Sequence, residues 1–339
     1  MGRGRGVSTG RRYLDEDDVP VRARGGSRPR TRKRPKHEDA KPGFVTAVDR
    51  GRYTCLVEDR TVVAMKAREL GRGSITVGDR VRLVGDLSGR PDSLARVVRV
   101  EERRSVLRRT ADDTDPVERV IVANADQLVI VSSLADPPPQ PRFIDRCLVA
   151  AYDAGLRPLL CLTKVDLAAP DDVLETYSAL DLPSVVTSRD GDLDPLREQL
   201  AGRVSVLVGS SGVGKSTLVN LLIPEAGRAV GDVNPVTGRG RHTSASAVAL
   251  TLPDGWIIDT PGVRSFGLAH ISPDDVVAGF PDLDEAVAEC PPGCAHTADV
   301  PGCALDSGTA AGRLDADRVS SLRRLLASRE GADDSRAQQ

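Results

Sequence analysis

The sequence predicts three folded parts of unlike architecture: a small β-barrel, an α/β domain built on a parallel sheet, and a small C-terminal helical domain around a Cys/His cluster. Three observations carry this. Short alternating apolar and polar runs, broken by Gly, Asp and Pro, fill residues 42–101 and read as barrel strands. From 120 to 266 apolar strands alternate with helical segments, the pattern of a parallel sheet covered on both faces. Cys290, Cys294, His296 and Cys303 then crowd together ahead of a helical segment. The expected boundaries are a basic tail over 1–41, the barrel over 42–101, a charged connector over 102–118, the α/β domain over 119–268, the Cys/His domain with its helix over 269–330, and a polar tail over 331–339.

Across 339 residues, 47 Lys and Arg nearly balance 49 Asp and Glu, so net charge by itself points to no partner. The balance hides a basic start. Residues 1–41 carry 13 Lys/Arg against 6 Asp/Glu with scarcely an apolar side chain, so this segment cannot bury a core and is expected to be disordered. It suits salt-sensitive contact with phosphates or simple solubilisation. It lacks the apolar stretch of a signal peptide, and Asp15-Glu16-Asp17-Asp18 argues against a mitochondrial presequence. No run approaches 18 apolar residues, so no membrane span is expected, and a cytoplasmic location is.

In the barrel, strands are expected around Gly43–Val48, Tyr53–Val57, Val77–Val84 and Ala95–Val100. Their spacing fits an OB-fold and an SH3-like barrel equally. Phe44 and Tyr53 are the region's only aromatics, a poor supply for stacking single-stranded bases; contacts to phosphate and to folded RNA shape are expected instead.

The α/β domain opens with an apolar strand within 124–131, followed by a Pro-rich turn over 137–141 and a helix. There Phe143, Ile144, Cys147, Leu148 and Ala151 recur at helical spacing as core residues. Its organising stretch is Gly209-Ser210-Ser211-Gly212-Val213-Gly214-Lys215-Ser216-Thr217, preceded by the apolar Val204–Val208 and followed by Leu218, Val219, Leu221 and Leu222. Strand, glycine turn and helix in this order make a phosphate loop, the P-loop. Its N–H groups converge on phosphate oxygens, Lys215 reaches the β- and γ-phosphates, and Ser216 ligates Mg²⁺.

Two further motifs choose the nucleotide. Asp259-Thr260-Pro261-Gly262 ends the apolar Trp256-Ile257-Ile258, placing a carboxylate for Mg²⁺ and a Gly262 N–H for a γ-phosphate. Thr163-Lys164-Val165-Asp166 ends another strand, Pro158–Leu162; Asp166 accepts from guanine N1–H and the 2-amino group, donors that adenine lacks, and so selects GTP. GTPases generally carry Asn at the first position, and Thr163 keeps one hydroxyl to tie loops together. Thr187-Ser188-Arg189 closes the next strand as a loop supporting the base. Ordinary GTPases place base recognition after the phosphate loop. Here it comes first, so the unit is a circularly permuted P-loop α/β GTPase domain.

With Val236-Thr237-Gly238-Arg239-Gly240-Arg241-His242-Thr243-Ser244 between the phosphate loop and Asp259, as a switch I would be, the chain resembles the small-ribosomal-subunit-dependent, circularly permuted GTPases of the RsgA family. The resemblance covers residues 42 to about 325. It implies an OB-fold for the barrel, the small (30S) ribosomal subunit and rRNA as partners, and a role in late subunit maturation. Hydrolysis would then be slow alone and faster on the subunit, with dissociation afterwards and a monomer in solution. Val263 follows the D-x-x-G motif where ordinary GTPases often carry a water-orienting Gln, and the resemblance gives that role to His242, with Lys215 as the catalytic cation. Mg²⁺ is expected at Ser216, Thr243 and Asp259.

Four ligands without an open position, Cys290, Cys294, His296 and Cys303, suit a structural Zn²⁺ site. The spacing departs from the family pattern by one residue in the first and last gaps. Cys55, Cys147 and Cys161 lie in apolar runs and read as inert core. The permutation makes residues 263–289 run from the D-T-P-G loop straight to this cluster, a route for switch motion, and a helix near 315–327 packs against these elements. Two alternatives remain from the residues alone: a translational or other RNA-binding GTPase with a different RNA target, and a P-loop phosphotransferase acting on a small molecule.

Overall fold

A computed structural model of the chain describes residues 37–70, 75–110, 118–224, 247–260, 267–268, 270–298 and 300–329. Five strands, β1 (Lys41–Asp49), β2 (Arg52–Val57), β3 (Arg60–Lys66), β4 (Arg80–Gly85) and β5 (Ala95–Val100), make the barrel. They run β1-β2-β3-β5-β4 and back to β1, with β3 and β5 parallel and the other pairs antiparallel. This five-stranded closure is the OB-fold, so strand order decides what spacing left open. Arg50 and Gly51, both at positive φ, form the two-residue turn between β1 and β2, whose twist matches the flanking strands. Val45, Cys55, Val62, Ala64, Leu83 and Val97 are fully buried inside.

Strand β3 was not among the predicted runs. Its outward positions Val63 and Met65 are apolar like the inward Val62 and Ala64, which erases the alternation that marks a strand. The stretch read as a charged connector also contributes structure: β6 (Val106–Arg109) pairs with β7 (Arg119–Ala123) and buries Leu107.

The α/β sheet holds β8 (Gln127–Ser133), β9 (Arg157–Thr163), β10 (Ser184–Thr187), β11 (Arg203–Val208), β12 (Val248–Leu252) and β13 (Gly255–Asp259) in the order β10-β9-β8-β11-β13-β12, all parallel except β12. Strand β8 is buried along its whole length. Because successive side chains point to opposite faces, Leu128 and Ile130 enter one core with Ile144 and Leu148 of α1 (Pro141–Asp153). Val129 and Val131 enter the other, with Leu196 of α3 (Asp194–Leu200) and Leu218 of α4 (Lys215–Leu222). Helix α2 (Asp171–Tyr177) lies between β9 and β10 in the chain.

Among the described residues, barrel and α/β sheet meet through backbone at two places. Ala47 of β1 pairs with Val248 of β12, which makes one sheet of 11 strands. At the second joint the Ala123 N–H donates to the Val77 carbonyl and the Asn124 side-chain amide to the Gly78 carbonyl. A Cβ on Gly78 would lie 1.9 Å from the Ala123 oxygen, so only glycine fits. Beside it Asp79, fully buried, accepts two bonds from Arg103, at 2.7 and 2.8 Å.

The C-terminal part consists of α5 (Pro273–Val277), α6 (Pro281–Val287), α7 (Ala304–Ala310) and α8 (Ala316–Arg329). Ser272 and Asp275 form a capping box that starts α5. Helix α8 packs on the C-terminal helices and also on α1 of the α/β domain: Leu322 and Leu325 share the core of Ile144 and Leu148. Polar contacts reinforce this seam. Arg146 donates to the Ser328 carbonyl at 2.7 Å, Arg324 pairs with the buried Asp145 at 3.3 Å and lies 4.9 Å from the Tyr177 ring centre, and Arg318 grips Asp282 with two bonds. Among the described residues no helix is long and apolar enough to cross a membrane.

Candidate nucleotide and metal sites

Parallel strands deliver the loops that follow them to one edge of the sheet. The loops after β9 (Thr163–Asp166), β10 (Thr187–Arg189), β11 (Gly209–Gly214) and β13 (Asp259 and Thr260) therefore share an edge, although the chain visits them in an order that skips across the sheet. A direct bond brings the base motif and the phosphate loop together. The Thr163 hydroxyl, three residues before Asp166, donates at 2.7 Å to the Val213 carbonyl, two residues before Lys215. Register adds the third loop: Thr163 pairs with Thr187, and the Val165 N–H donates to the Thr187 carbonyl. Asp166 and Arg189 are exposed at this edge, Ser188 half-buried.

In the phosphate loop Gly212 and Gly214 have φ of 82° and 96°, a backbone that side chains resist, and Gly214 caps α4. A Cβ on Gly209 would lie 2.5 Å from the Val131 oxygen. The Lys215 ammonium folds back onto the carbonyls of Gly209 and Ser210, with Ser216 and Thr217 exposed at the start of α4. Burial lowers the Lys215 pKa, and the facing Asp259 carboxylate opposes that shift. Burial raises the Asp259 carboxyl above its ordinary range, with Lys215 and the Thr260 N–H pulling the other way. Asp259 Oδ1 is buried with no hydrogen-bond partner among the described residues. A divalent cation would partner the unpaired Oδ1 and hold the Asp259 carboxyl ionised, so Asp259 fits Mg²⁺.

Three contacts at this edge escaped sequence reasoning. Thr260, inside the D-T-P-G motif, is buried and donates to the Leu207 carbonyl at 2.7 Å, fixing the strand end that carries Asp259. Ser210 donates to Gln140 Oε1 at 2.9 Å, and Lys164 donates to the Asp136 carbonyl, so the loop between β8 and α1 lies against both nucleotide motifs. Only Thr260 carried a local signal, its place in the motif. Gln140 and Asp136 had none. His242, Thr243 and Gly262 lie outside the described residues.

The second site gathers Cys290, Cys294, His296 and Cys303, one ligand atom from each, all within 4.8 Å of one another. Cys290 Sγ is 3.6 Å from His296 Nδ1 and 3.9 Å from Cys303 Sγ. Tetrahedral zinc with Zn–S near 2.3 Å places its ligands roughly 3.8 Å apart, so the set fits Zn²⁺. The Ala304 N–H at the start of α7 donates to Cys290 Sγ at 3.2 Å, an outer contact of the kind that orients a metal ligand. Burial, with the Cys303 sulfur adding to it, pushes the Cys290 thiol up to about 11, whereas a cation would favour thiolates. By contrast Cys55 and Cys161 are buried away from any such cluster, with thiols pushed up to about 12.

Fold and site together define a P-loop GTPase whose base-recognition half precedes its phosphate-binding half. Known proteins agree. Residues 100–269 match the model of the family described as RsgA GTPase. A Chlorobaculum parvum protein named Small ribosomal subunit biogenesis GTPase RsgA is 37% identical over 301 residues, covering 84% of this chain and 96% of that protein. A Pseudomonas putida protein of the same name is 44% identical over 218 residues, 61% of this chain and 63% of that one. Among solved structures, YjeQ from Thermotoga maritima superposes with a TM-score of 0.64 at 26% identity, over 87% of this chain and all of that one. YloQ, described as a circularly permuted GTPase, shares the fold with a TM-score of 0.62 at 22% identity, over 88% of this chain and 98% of that one. The chain belongs to the RsgA GTPase family.

Proposed function

We infer that the chain hydrolyses GTP in the service of small-ribosomal-subunit maturation, binding the subunit, turning over slowly alone and faster when bound, and then leaving. The observation that carries the nucleotide half is the Thr163–Val213 bond, which ties guanine recognition to the phosphate loop across a permuted chain. Similarity over nearly the whole length of a relative named for small-subunit biogenesis supports the partner. rRNA contact by the barrel and a cytoplasmic location go with that role.

In this assignment Asp166 selects guanine, with Thr163, Lys164 and Val165 holding its loop and Thr187, Ser188 and Arg189 backing the base. Residues Gly209–Thr217 and Gly262 cradle the phosphates. Ser216, Thr243 and Asp259 would hold Mg²⁺, which would supply positive charge to offset that of the triphosphate. Lys215 leaves its carbonyls for the β- and γ-phosphate oxygens, and His242 orients the attacking water. The Zn²⁺ at Cys290, Cys294, His296 and Cys303 is structural.

Hydrolysis of GTP by the full chain, measured with and without purified small subunits, tests this. Stimulated turnover together with tighter subunit binding in a non-hydrolysable GTP analogue than in GDP is expected. No binding to subunits in either nucleotide overturns the partner. His242→Ala should bind GTP normally and lose stimulation; full stimulated turnover removes His242 from its role.

A further inference from the structure

The joint between the barrel and the α/β sheet ends on the candidate metal-binding carboxylate. Ala47 of β1 pairs with Val248 of β12, and Val248 pairs with Asp259 of β13. Asp259 in turn pairs with Leu207, two residues before the phosphate loop. One rung of backbone therefore runs from the barrel wall through Asp259 to the strand that carries Gly209. A second contact braces it: Phe44 of β1 packs against Trp256 of β13, ring centres 4.8 Å apart and planes tilted by 44°. Phe44 is half-buried beside Trp256, and Tyr53, the other barrel aromatic, is 7% exposed. The joint of Val77 and Gly78 with Ala123 and Asn124 attaches a second part of the barrel to the chain leading into β8. Among the described residues the barrel is thus held at two places, one of them on β12.

We propose that the Phe44–Trp256 contact is the link through which whatever the barrel holds acts on the placement of the Asp259 carboxylate, so that it serves the stimulated turnover and not the unstimulated one. This rests on the small subunit as the barrel's partner. The coupling is reciprocal, so a nucleotide that reorders Asp259 changes the barrel's affinity by the factor with which the partner changes nucleotide affinity. Side-chain packing at Phe44 is what joins the two, since the rung itself is backbone and survives substitution.

The test compares wild type, Phe44→Ala, Phe44→Leu and Phe44→Tyr as full chains, each checked by thermal melting. In wild type, subunit affinity should differ between GDP and a GTP analogue by about tenfold or more, the usual size of such couplings. Phe44→Ala should bring that ratio, and subunit stimulation of turnover, toward 1 while unstimulated turnover and GDP affinity stay within about twofold; Phe44→Tyr should restore both. Phe44→Leu serves the same purpose if the alanine variant melts early. A leucine or alanine variant that is folded and keeps the wild-type ratio overturns the coupling. Should wild type not bind subunits at all, the partner is wrong, and Trp256, the chain's single tryptophan, decides the coupling alone. Its emission should then differ between Mg–GDP and the Mg–GTP analogue in wild type and not in Phe44→Ala, and identical emission in both nucleotides overturns it.

Discussion

Thr163→Val removes one hydroxyl and keeps the shape, so it isolates the bond that unites the two halves of the nucleotide site. Thr163 is 6% exposed, and its hydroxyl has two candidate acceptors, Val213 O at 2.7 Å and Ser132 O at 3.4 Å. One proton serves one of them, and the shorter contact takes it. Valine leaves the Val213 carbonyl buried and unpaired, at a cost of about 1–3 kcal/mol. Because valine fills the same volume, no cavity term adds to this. For a unit of this size each kcal/mol lowers the melting temperature by about 2–4 °C, so a fall between about 2 and 12 °C is expected. GDP and GTP should lose affinity by the same factor, since the bond lies on the base side of the loop and touches no γ-phosphate position. Thr163→Ser keeps the donor and should melt close to wild type. Calorimetry and titration with a fluescent guanine nucleotide read both quantities. A valine variant with wild-type melting and wild-type GDP affinity would refute the claim that this hydroxyl holds the two loops together.

Asp166→Asn should move nucleotide preference from guanosine to xanthosine triphosphate, because asparagine can donate where the aspartate only accepts; unchanged GTP selectivity in competition binding counts against Asp166 as the guanine clamp. Zinc affinity, measured against a chromophoric chelator, should rise steeply from pH 6 to pH 8, since the Cys290 thiol stands at about 11 without metal and must lose its proton on binding; a flat profile removes the thiolate from the ligand set. Arg324→Ala leaves the Asp145 carboxyl, already raised by burial with Arg324 opposing it, without its cation, and should lower the melting temperature. A carboxyl raised on folding favours the protonated native state, so this deficit should shrink as pH falls through the folded pKa of Asp145 and be largest at neutral pH and above. Adding Asp145→Asn should recover part of the loss, and strict additivity of the two changes would show that the pair does not interact.

How much of this was legible depended on whether the signal was local. The phosphate loop, D-T-P-G and T-K-V-D are short motifs beside apolar strands, and Gly209, Asp259 and Thr163 stand at the ends of β11, β13 and β9 as those flanks required. The cysteine cluster was legible for the same reason, since four ligands within one loop need no knowledge of the rest of the chain. Strand β3 was lost because Val63 and Met65 put apolar groups on its outer face, and β6 because Arg103, Arg104, Arg108 and Arg109 surround the single buried Leu107. Barrel type needed the pairing of β3 with β5, whose partnered residues, such as Ala64 and Ala95, lie 31 apart in sequence, which no periodicity encodes. The seam of α8 against α1 was invisible for a different reason. Asp145 and Arg146 look like the solvent side of an amphipathic helix, yet both are buried, because Arg324 and the Ser328 carbonyl arrive from far along the chain.

Permutation costs the nucleotide site little because a parallel sheet positions loops by strand order in space, not in sequence. What it changes is where the chain goes next. With β13 last in the sheet, the polypeptide leaves Asp259 directly for the helices that carry the Cys/His cluster, and Gly267 on that path is already held by a bridge to Thr110, beyond β6. With β12 at the sheet's other margin, the barrel finds an open edge and closes it through Ala47. In an unpermuted arrangement the ends of the chain fall elsewhere on the sheet, and neither attachment follows from chain order. Asp259 thus stands between two appended bodies, the barrel two strands away and the C-terminal helices one short segment downstream. A change in how that carboxylate is held therefore arises between the two attachments, next to β12 on one side and to the start of the downstream segment on the other.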